Sequence, residues 1–356
     1  MKVAPLYHEL TRQGWCTARV VHTGQHYDAN MSEAFFRDLS LPEPAYHLEI
    51  GSGSHAEQTG RTMIAYEAVC QRERPDAIVV VGDVNATAAC AMVGAKLWIP
   101  VVHLEAGLRS GDRRMPEEIN RLVTDAISDL LWTPSRDADG NLRAEGVPAE
   151  KIECIGNIMI DSFEMLRGKI EAADTRRQLR LHEPFAVVTL HRPSNVDERA
   201  KLTELAQALV QLSRVLSVLF AVHPRTRRRL EEFDLLETIA RAPAIRLSEP
   251  LSYIEFMSVV MHCSIAITDS GGVQEETTYL GIPCVTLREN TERPITILQG
   301  TNRLLRPGDL LAAAQEALAG KWPRGRKPDL WDGHAAERAA QSLRTRLWSR
   351  RPPSPT

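Results

Sequence analysis

The chain has 356 residues, of which 43% are hydrophobic and 25% charged, and its net charge at pH 7 is −3. This length predicts about two domains of ordinary size, each with its own core. The near balance of charge argues against a nucleic-acid-binding protein, which usually carries a concentrated basic stripe.

The chain begins inside a predicted helix rather than in a strand. Within residues 1–14, Val3, Leu6 and Leu10 have helical spacing, and Gly14 is expected to end the helix. An open α/β domain normally begins with a strand whose following loop leads into a helix N-terminus. The first strand and the first loop are therefore expected to be missing.

Short β-branched runs then alternate with longer helical patterns, which predicts parallel βαβ units with helices on both faces of each sheet. Pro116 fits a first helical position, and Ser252 precedes an apolar run with helical spacing. The predicted strands are 18–23, 77–82, 99–105, 130–135, 151–156, 186–191, 217–223, 264–270 and 283–288. Predicted helices include 55–72, 85–96, 116–129, 198–213, 252–262 and 273–280.

The charged, weakly apolar segment 168–184 is predicted to link two such α/β domains, 1–167 and 185–332. A last helix, 333–349, follows the second domain, and the tail 350–356 is expected to be disordered. The chain is thus predicted to contain two consecutive α/β domains.

The cysteines are widely scattered and lie mostly inside apolar runs, with no CxxC pair and no histidine at zinc spacing. This pattern predicts buried, reduced thiols rather than disulfides or a metal site. No apolar run approaches the roughly 20 residues that span a bilayer, and the stretch before Leu6 is far too short for a signal peptide. We expect a cytoplasmic protein without membrane insertion. The six cysteines are Cys16, Cys70, Cys90, Cys154, Cys263 and Cys284.

Distinctive polar residues come where apolar strands end. In open α/β sheets the ligand crevice lies outside the carboxyl ends of the strands, so this placement indicates function. Any one of these residues alone is better explained by a turn, but together they favour a site. They are Asp83, Glu105, His191, His223, Asp269 and Ser270.

The segment SGGVQEE, residues 270–276, follows a predicted strand and opens a helix. Gly271 and Gly272 let the backbone approach a ligand, and the free amides at the helix start favour an anion. A carboxylate one turn further, Glu276, is placed for ribose hydroxyls, and Arg288 and Arg293 are candidate phosphate clamps. A plain tight turn is the alternative.

The stretch 103–121 is dense in carboxylates and arginines. Proton transfer at an uncharged sugar carbon needs a base on one face and an acid on the other. Candidates for such groups are Asp83, Glu105, Glu117 and His191. Glu118 and Arg121 are expected to be helix-surface or bracing residues. No nucleophile elbow, serine triad or metal-ligand spacing accompanies them.

A set of motifs then shows a family resemblance. The chain resembles the non-hydrolysing UDP-N-acetylglucosamine 2-epimerases from Lys2 to about Arg338. The motifs, in chain order, are TGQHYD, VGDVNAT, HLEAGLRSGDRRMPEEINR, GNIMID, TLHRPSN, AVHPRT, TDSGGVQEE, RENTERP, GTN and PDLWDGHAAER.

The resemblance implies two Rossmann-like domains that face each other across a cleft, as in type-B glycosyltransferases. It places the UDP site in 185–332 and packs the helix 333–349 back on the first domain. It further implies a homodimer with no metal and no cofactor. The reaction implied is reversible epimerisation of UDP-N-acetylglucosamine to UDP-N-acetylmannosamine for polysaccharide synthesis. UDP is eliminated to leave 2-acetamidoglucal and then adds back.

Matching motif positions imply the site residues. Glu105 and Glu117 are expected to handle protons, with Asp83 as a base or their electrostatic partner, and His191 is expected to stabilise charge on the departing UDP. Phe256 is implied at the uracil. Arg113 is equally well explained by a surface salt bridge. The substrate-binding positions implied are Lys2, Arg113, His223, Phe256, Ser270, Gly271, Gly272, Glu276 and Arg293.

Departures from the family pattern leave alternatives. The family's first strand and GTRPE loop precede MKVAPL, so an inactive UDP-sugar-binding protein is one alternative, although a misplaced start codon is expected. QHYDANM differs from the QHRxM of members that substrate activates allosterically, so that regulation is unsupported. GDVNAT, RRMPEEINR and HRPSN also resemble 2-epimerases of UDP-2,3-diacetamido uronic acids. A type-B glycosyltransferase would share the fold and a UDP site.

Overall fold

The computed structural model of the chain describes residues 1–24 and 36–348. These residues form two compact units, Met1–Met165 together with the segment from Asp329 on, and Leu166–Pro328. The sequence analysis placed the corresponding limits at 167, 185 and 333. The predicted disordered tail 350–356 and the segment QHYDANM lie outside the described residues.

The strands of the first unit form two separately hydrogen-bonded sheets. β1 (Val21–His22) pairs in parallel with β2 (Tyr46–His47). The second sheet is also parallel, and its strands are neighbours in chain order. They are β3 (Ile78–Val81), β4 (Val101–Leu104), β5 (Leu130–Thr133) and β6 (Ile152–Cys154). The predicted strand 18–23 shortens to β1, and β2 was not predicted because two residues give no hydrophobic period.

Helices of the first unit follow the predicted pattern. The first helix ends at Gly14, whose φ of +67° is the left-handed conformation that glycine adopts without strain. Pro116 begins its helix, as predicted. The helices are Val3–Gln13, His55–Glu73, Asn85–Lys96, Pro116–Ile127, Arg136–Ala144, Ile158–Ala172, which continues into the second unit, and Ala335–Trp348. A short 3-10 turn, Ala149–Lys151, precedes β6.

The last helix packs on the first unit through both apolar and polar contacts. Leu343 of this helix lies in one core with Leu10 of the first helix and Leu104 of β4. The Asp161 carboxylate accepts hydrogen bonds from the amides of Ala335 and Ala336 at 3.2 and 2.7 Å. Because these amides have no partner inside the helix, Asp161 caps the helix from a neighbouring element.

The second unit contains one parallel sheet of six strands, with helices between them along the chain. Its spatial order is β12-β11-β10-β7-β8-β9, so the order of the strands reverses between β10 and β7. The strands are β7 (Phe185–Thr189), β8 (Ser217–Ala221), β9 (Ile245–Ser248), β10 (Ile265–Thr268), β11 (Cys284–Thr286) and β12 (Asn302–Leu304). β9 and β12 were not predicted, because as edge strands they carry polar residues instead of a continuous apolar run.

The helices of the second unit include the short Thr175–Gln178, which lies inside the segment 168–184 predicted as a linker. That segment also holds the end of the helix that begins at Ile158. Ser252 begins its predicted helix through a capping box with Glu255. The remaining helices are Pro193–Val196, Arg199–Leu212, Pro224–Glu232, Leu236–Ala240, Tyr253–Val260, Gly271–Leu280, Ile295–Leu298 and Leu310–Leu318, with a 3-10 turn at Pro307–Asp309.

The six cysteines are free thiols, and four of them are buried. None of the described helices combines the length and the apolar character needed to cross a membrane.

Candidate functional site

Three carboxylates lie at one edge of the first unit's larger sheet or in the helix that follows it. Asp83 comes two residues after β3, and Glu105 follows β4 directly. β3 and β4 are parallel neighbours, so their carboxyl ends meet at one edge. Glu117 lies in the first turn of the helix Pro116–Ile127, which follows β4 in the chain. The structure thus places Asp83 and Glu105 at one edge of the sheet and Glu117 at the start of the helix that follows β4.

Glu105 is 7% exposed, and its backbone has a φ of +77°, which non-glycine residues rarely adopt. Its amide donates to the Trp132 carbonyl at 3.0 Å. Its carboxylate forms an ion pair with the ammonium of Lys2. Gly82 lies beside this pair, and its φ of +69°, rather than a lack of space, is what favours glycine at this position. In the ligand-free chain Lys2 pairs with Glu105, and its role in substrate binding stays a prediction.

Asp83 has a different environment from Glu105. Its side chain is 31% exposed and pairs with Arg121, whose own side chain is only 2% exposed. The Asp83 carbonyl accepts a hydrogen bond from Asn120 Nδ2 at 2.9 Å. Arg121 also donates from Nη2 to Glu118 Oε2 at 2.6 Å. Asp83 is therefore a charged, partly exposed carboxylate held by a buried arginine.

Glu118 is the bracing residue of the dense charged stretch. Its carboxylate accepts from the amides of Ser110 and Gly111 at 2.9 Å each. Burial alone would raise the pKa of Glu118, but these amides and Arg121 outweigh it and hold the pKa below its usual value. Of the two expectations for Glu118 and Arg121, surface or bracing, the structure shows bracing.

Glu117 and Arg113 remain open to a ligand. Within residues 1–24 and 36–348, neither the partly exposed Glu117 nor the exposed Arg113 has an ion pair or hydrogen bond to its side chain. Arg114, by contrast, donates to both oxygens of Asp112 at 2.8 and 2.9 Å. The salt-bridge explanation therefore describes Arg114, and Arg113 has no such partner in the described part of the chain.

The predicted groups of the second unit lie where its strand order reverses. His191 comes two residues after β7, and Asp269 directly follows the neighbouring β10. Ligands of open α/β sheets bind at such a reversal. Asp269 is fully buried and accepts from the amides of His191 at 3.1 Å and Arg192 at 2.9 Å. Asn195 Nδ2 also donates to Asp269 at 2.9 Å.

The two histidines of this unit lie next to each other, with ring centroids 5.4 Å apart. His191 Nδ1 is 3.2 Å from Asp269 Oδ1. Burial lowers the pKa of His191, and nearby arginines lower it further. The negative charge of Asp269 raises the pKa, but the lowering effects outweigh it. The pKa of His223 is also lowered, by burial and by His191. Both rings are therefore predominantly neutral at pH 7 until an anion approaches.

The glycine-containing turn lies beside an arginine. Ser270 precedes the helix Gly271–Leu280, and Gly272, in its first turn, is partly exposed. A Cβ on Gly271 would lie 2.4 Å from Arg293 Nη1, so only glycine lets this guanidinium approach the turn. A helix start and a neighbouring arginine form an environment that favours an anion.

Arg293 and Arg288, predicted as phosphate clamps, take part in internal ion pairs. Arg293 Nε lies 2.8 Å from Glu275, and its Nη1 pairs with Glu292. Arg288 lies 2.8 Å from Glu292. Burial would raise the pKa of Glu292, but the two arginines outweigh it and lower the pKa strongly. Sequence reasoning missed both carboxylates, because Glu275 lies in another segment and nothing in RENTERP shows that Glu292 faces the arginines. The phosphate role of Arg293 stays a prediction.

Glu276 is a buried carboxyl group that accepts a hydrogen bond from the Tyr253 hydroxyl at 2.7 Å. Burial, with a smaller contribution from Glu275, raises the pKa of Glu276 to about 8. It is therefore mostly protonated at pH 7 and can both donate and accept, as vicinal hydroxyls require. Phe256, predicted at the uracil, is partly exposed on the same helix as Tyr253. Sequence analysis did not single out Tyr253.

Across the described ranges, no three His, Cys, Asp or Glu side chains are grouped to hold a metal ion. The candidate groups of the two units are carboxylates, histidines, arginines and backbone amides. Residues 8–344 match the family model described as UDP-N-acetylglucosamine 2-epimerase.

The chain belongs to the UDP-N-acetylglucosamine 2-epimerase family. The UDP-N-acetylglucosamine 2-epimerase of Methanocaldococcus jannaschii is 39% identical over 355 residues, which cover 96% of this chain and 95% of that protein. Its crystal structure with UDP-GlcNAc and UDP matches with a TM-score of 0.88 over 97% of this chain and 96% of that one. The UDP-2,3-diacetamido-2,3-dideoxy-D-glucuronate 2-epimerase of Pseudomonas aeruginosa is 39% identical over 329 residues, covering 91% and 90%.

These comparisons confirm the family resemblance and the activity predicted from the sequence, that of a non-hydrolysing UDP-N-acetylglucosamine 2-epimerase. They also confirm an α/β fold like that of the solved epimerases, with one larger parallel sheet in each of the two units.

Proposed function

We propose that this epimerase exchanges the C2 proton of its sugar through the carboxylates of the first unit. The base removes the proton from C2, the C1–O bond breaks with its electron pair on UDP, and a C1–C2 double bond forms. Bound 2-acetamidoglucal then receives a proton on the opposite face of C2 as UDP adds back to C1. The outcome is UDP-N-acetylmannosamine from UDP-N-acetylglucosamine, and the reverse.

The observation that carries this proposal is the contrast among three neighbouring carboxylates. Glu105 is buried and paired with Lys2, Asp83 is partly exposed and paired with Arg121, and Glu117 has no partner among the described residues. Groups in different environments can differ in proton affinity, which two-faced proton transfer requires. Glu105 and Glu117 handle protons in this proposal, and Asp83 is a base or their electrostatic partner.

In the same proposal, the second unit binds UDP. The helix start at Gly271 favours the diphosphate, and Glu276 bonds the ribose hydroxyls. His191 is oriented by the buried Asp269 and is predominantly neutral in the free chain. The negative charge of a bound diphosphate favours the protonated form of His191, so the ring takes up a proton from solvent when the UDP-sugar binds. As a cation, the ring stabilises the charge that develops on UDP as the C1–O bond breaks. His223, Ser270, Gly272, Phe256 and Arg293 complete the proposed UDP site.

The test is incubation of the chain with UDP-N-acetylglucosamine in the absence of any acceptor, followed by NMR. UDP-N-acetylmannosamine should form, and UDP release should not depend on an added sugar acceptor. Glu117→Gln should lower turnover by about 100-fold or more, whereas Arg114→Gln, which removes an exposed arginine of the same stretch, should not. Acceptor-dependent UDP release without epimer would indicate a glycosyltransferase, and UDP binding without turnover an inactive binding protein.

A second substrate is supported by the Pseudomonas aeruginosa relative, whose identity of 39% equals that of the archaeal relative. A UDP-2,3-diacetamido uronic acid carries a carboxylate at C6, which the exposed Arg113 could pair with. Comparison of kcat/KM for the two substrates decides between them. A preference for the uronate that Arg113→Gln removes would favour this second substrate.

The homodimer, the cytoplasmic location and the absent first strand stay predictions. Sedimentation equilibrium tests the dimer.

A further inference from the structure

Two buried side chains of the first unit join the segments that carry the three carboxylates. His103 is the third residue of β4 and is 0% exposed, and Asp125 is 2% exposed near the end of the helix Pro116–Ile127. Because both are closed off from solvent, any effect on the reaction acts through the residues they hold.

The His103 ring binds the turn that carries Asp83. Its Nε2 lies 2.8 Å from the Gly82 carbonyl oxygen. The Gly82 amide in turn donates to the Leu104 carbonyl at 3.1 Å. Gly82 directly precedes Asp83 and has a φ of +69°. Because both its amide and its carbonyl are hydrogen-bonded, the backbone that leads into Asp83 is held in position.

Asp125 binds the turn that follows Glu105. Its Oδ2 accepts from the Gly107 amide at 3.1 Å and lies 2.7 Å from Arg109 Nη1. A Cβ on Gly107 would lie 2.6 Å from the Ala138 carbonyl oxygen, so this turn has little freedom to move. Asp125 thus connects the Glu105 turn to the helix that also carries Glu117.

The ring and the carboxylate are joined by a short hydrogen bond, 2.6 Å between His103 Nδ1 and Asp125 Oδ1. The Gly82 carbonyl only accepts, so Nε2 must carry a hydrogen. A second hydrogen must lie between Nδ1 and Oδ1, because two bare lone pairs at this distance would repel. Burial raises the pKa of Asp125, but His103 and Arg109 outweigh it and hold the pKa below its usual value. The hydrogen-bonded pair therefore connects both turns at once.

We propose that His103 and Asp125 are positioning residues that set the separation of Asp83, Glu105 and Glu117 for proton transfer at C2. This rests on the proposed function, because it concerns the geometry of those carboxylates. A displacement of about 1 Å in one reacting group lowers turnover by about 100-fold. Binding of UDP, which the proposal assigns to the second unit, should be unaffected.

Three variants separate the bonds of the pair. In His103→Asn the side-chain amide takes the position of Nδ1 and no atom takes the position of Nε2, so the hydrogen bond to the Gly82 carbonyl is lost. In His103→Gln the side-chain amide takes the place of Nε2, so the bond to Asp125 is lost. Asp125→Asn leaves one acceptor oxygen for His103, Gly107 and Arg109, where the carboxylate offers two. We expect kcat to fall about 10- to 100-fold in each and KM to change less than about threefold. The isotope effect from deuterium at C2 should increase, because proton transfer then limits turnover.

His8→Asn is the matched control. His8 Nε2 also lies 2.8 Å from a backbone carbonyl, that of Leu39, in the same unit. Its substitution removes a comparable hydrogen bond away from the carboxylate segments, and kcat should stay within about twofold. The double variant of His103→Asn and Asp125→Asn should be no slower than the slower single variant, because the two side chains act as one unit.

Turnover within about threefold of the unaltered chain in all three variants would overturn this inference, as would a change confined to KM. Loss of cooperative unfolding and of UDP binding in all three would also overturn it, since the pair would then serve only the core. An unaltered chain that exchanges no deuterium at C2 would instead refute the proposed function itself.

Discussion

Glu276 and Glu118 are buried carboxyl groups of similar exposure, yet their partners give them opposite protonation. The Glu118 carboxylate accepts hydrogen bonds from two backbone amides and from an arginine, and these lower its pKa. Glu276 accepts a hydrogen bond from the Tyr253 hydroxyl and lies near Glu275. Burial therefore has the larger effect and raises its pKa to about 8. Spacing placed both residues correctly on helices, but their charge depends on groups distant in sequence.

The raised pKa of Glu276 predicts how stability depends on pH. The folded chain keeps the proton up to about pH 8, whereas the unfolded chain loses it near 4.5. Its stabilising contribution is complete below 4.5 and is lost as pH rises to about 8. Between pH about 6 and about 8, the ligand-free chain should lose at least about 1 kcal/mol relative to Glu276→Gln, or roughly 2 to 4 °C in Tm.

Thermal unfolding of both chains across this pH range checks that expectation. Asp161, whose pKa is raised to about 6 by burial, is present in both chains, so its effect cancels in the comparison. Parallel Tm curves for the two chains would show that Glu276 does not titrate in this range.

Several site contacts could not be read from the sequence. Glu105 and Asp83 were found because each follows an apolar strand, a local signal. The partners of His103 and Arg293 were not found. The pair of His103 with Asp125 joins residues that are distant in sequence, and Arg293 lies in a segment with several charges that could pair in different ways. Packing alone decides which of those charges meet.

At the scale of the element, the central strands and the helix limits followed from local patterns, whereas β2, β9 and β12 did not. Gly14, Pro116 and Ser252 mark helix ends through backbone conformation and capping, which act within a few residues. Short or edge strands are defined by a neighbouring strand rather than by their own sequence.

The last helix provides a prediction at this scale. Its first amides are bound by Asp161, which lies on the helix beginning at Ile158. Asp161→Ala should lower the free energy of unfolding by about 1 to 2 kcal/mol, because it removes a cap that joins two elements. His334→Ala is the control, since His334 lies at the same helix start with its side chain 66% exposed.

Urea unfolding measures this difference through the transition midpoint. Equal midpoints for the two variants would mean that the apolar contacts of Leu343 and its neighbours hold the last helix without Asp161.

At the scale of the molecule, the proposed chemistry is divided between the two compact units. The first unit carries the carboxylates and the second carries the histidines, the helix start at Gly271 and Glu276. This division predicts that loss of a carboxylate in the first unit leaves UDP affinity nearly unchanged. Calorimetry with UDP should give a Kd for Glu105→Gln within about threefold of the unaltered chain.

The central claim is that Glu105 and its neighbours move the C2 proton, and solvent deuterium incorporation tests it most directly. In D2O, the unaltered chain should replace the C2 hydrogen of both UDP-N-acetylglucosamine and its epimer, seen as loss of the C2 proton signal by NMR. Glu105→Gln should slow this exchange by about 100-fold or more, because the amide cannot take up a proton. Exchange at an unchanged rate in Glu105→Gln, or epimerisation without exchange, would contradict the account.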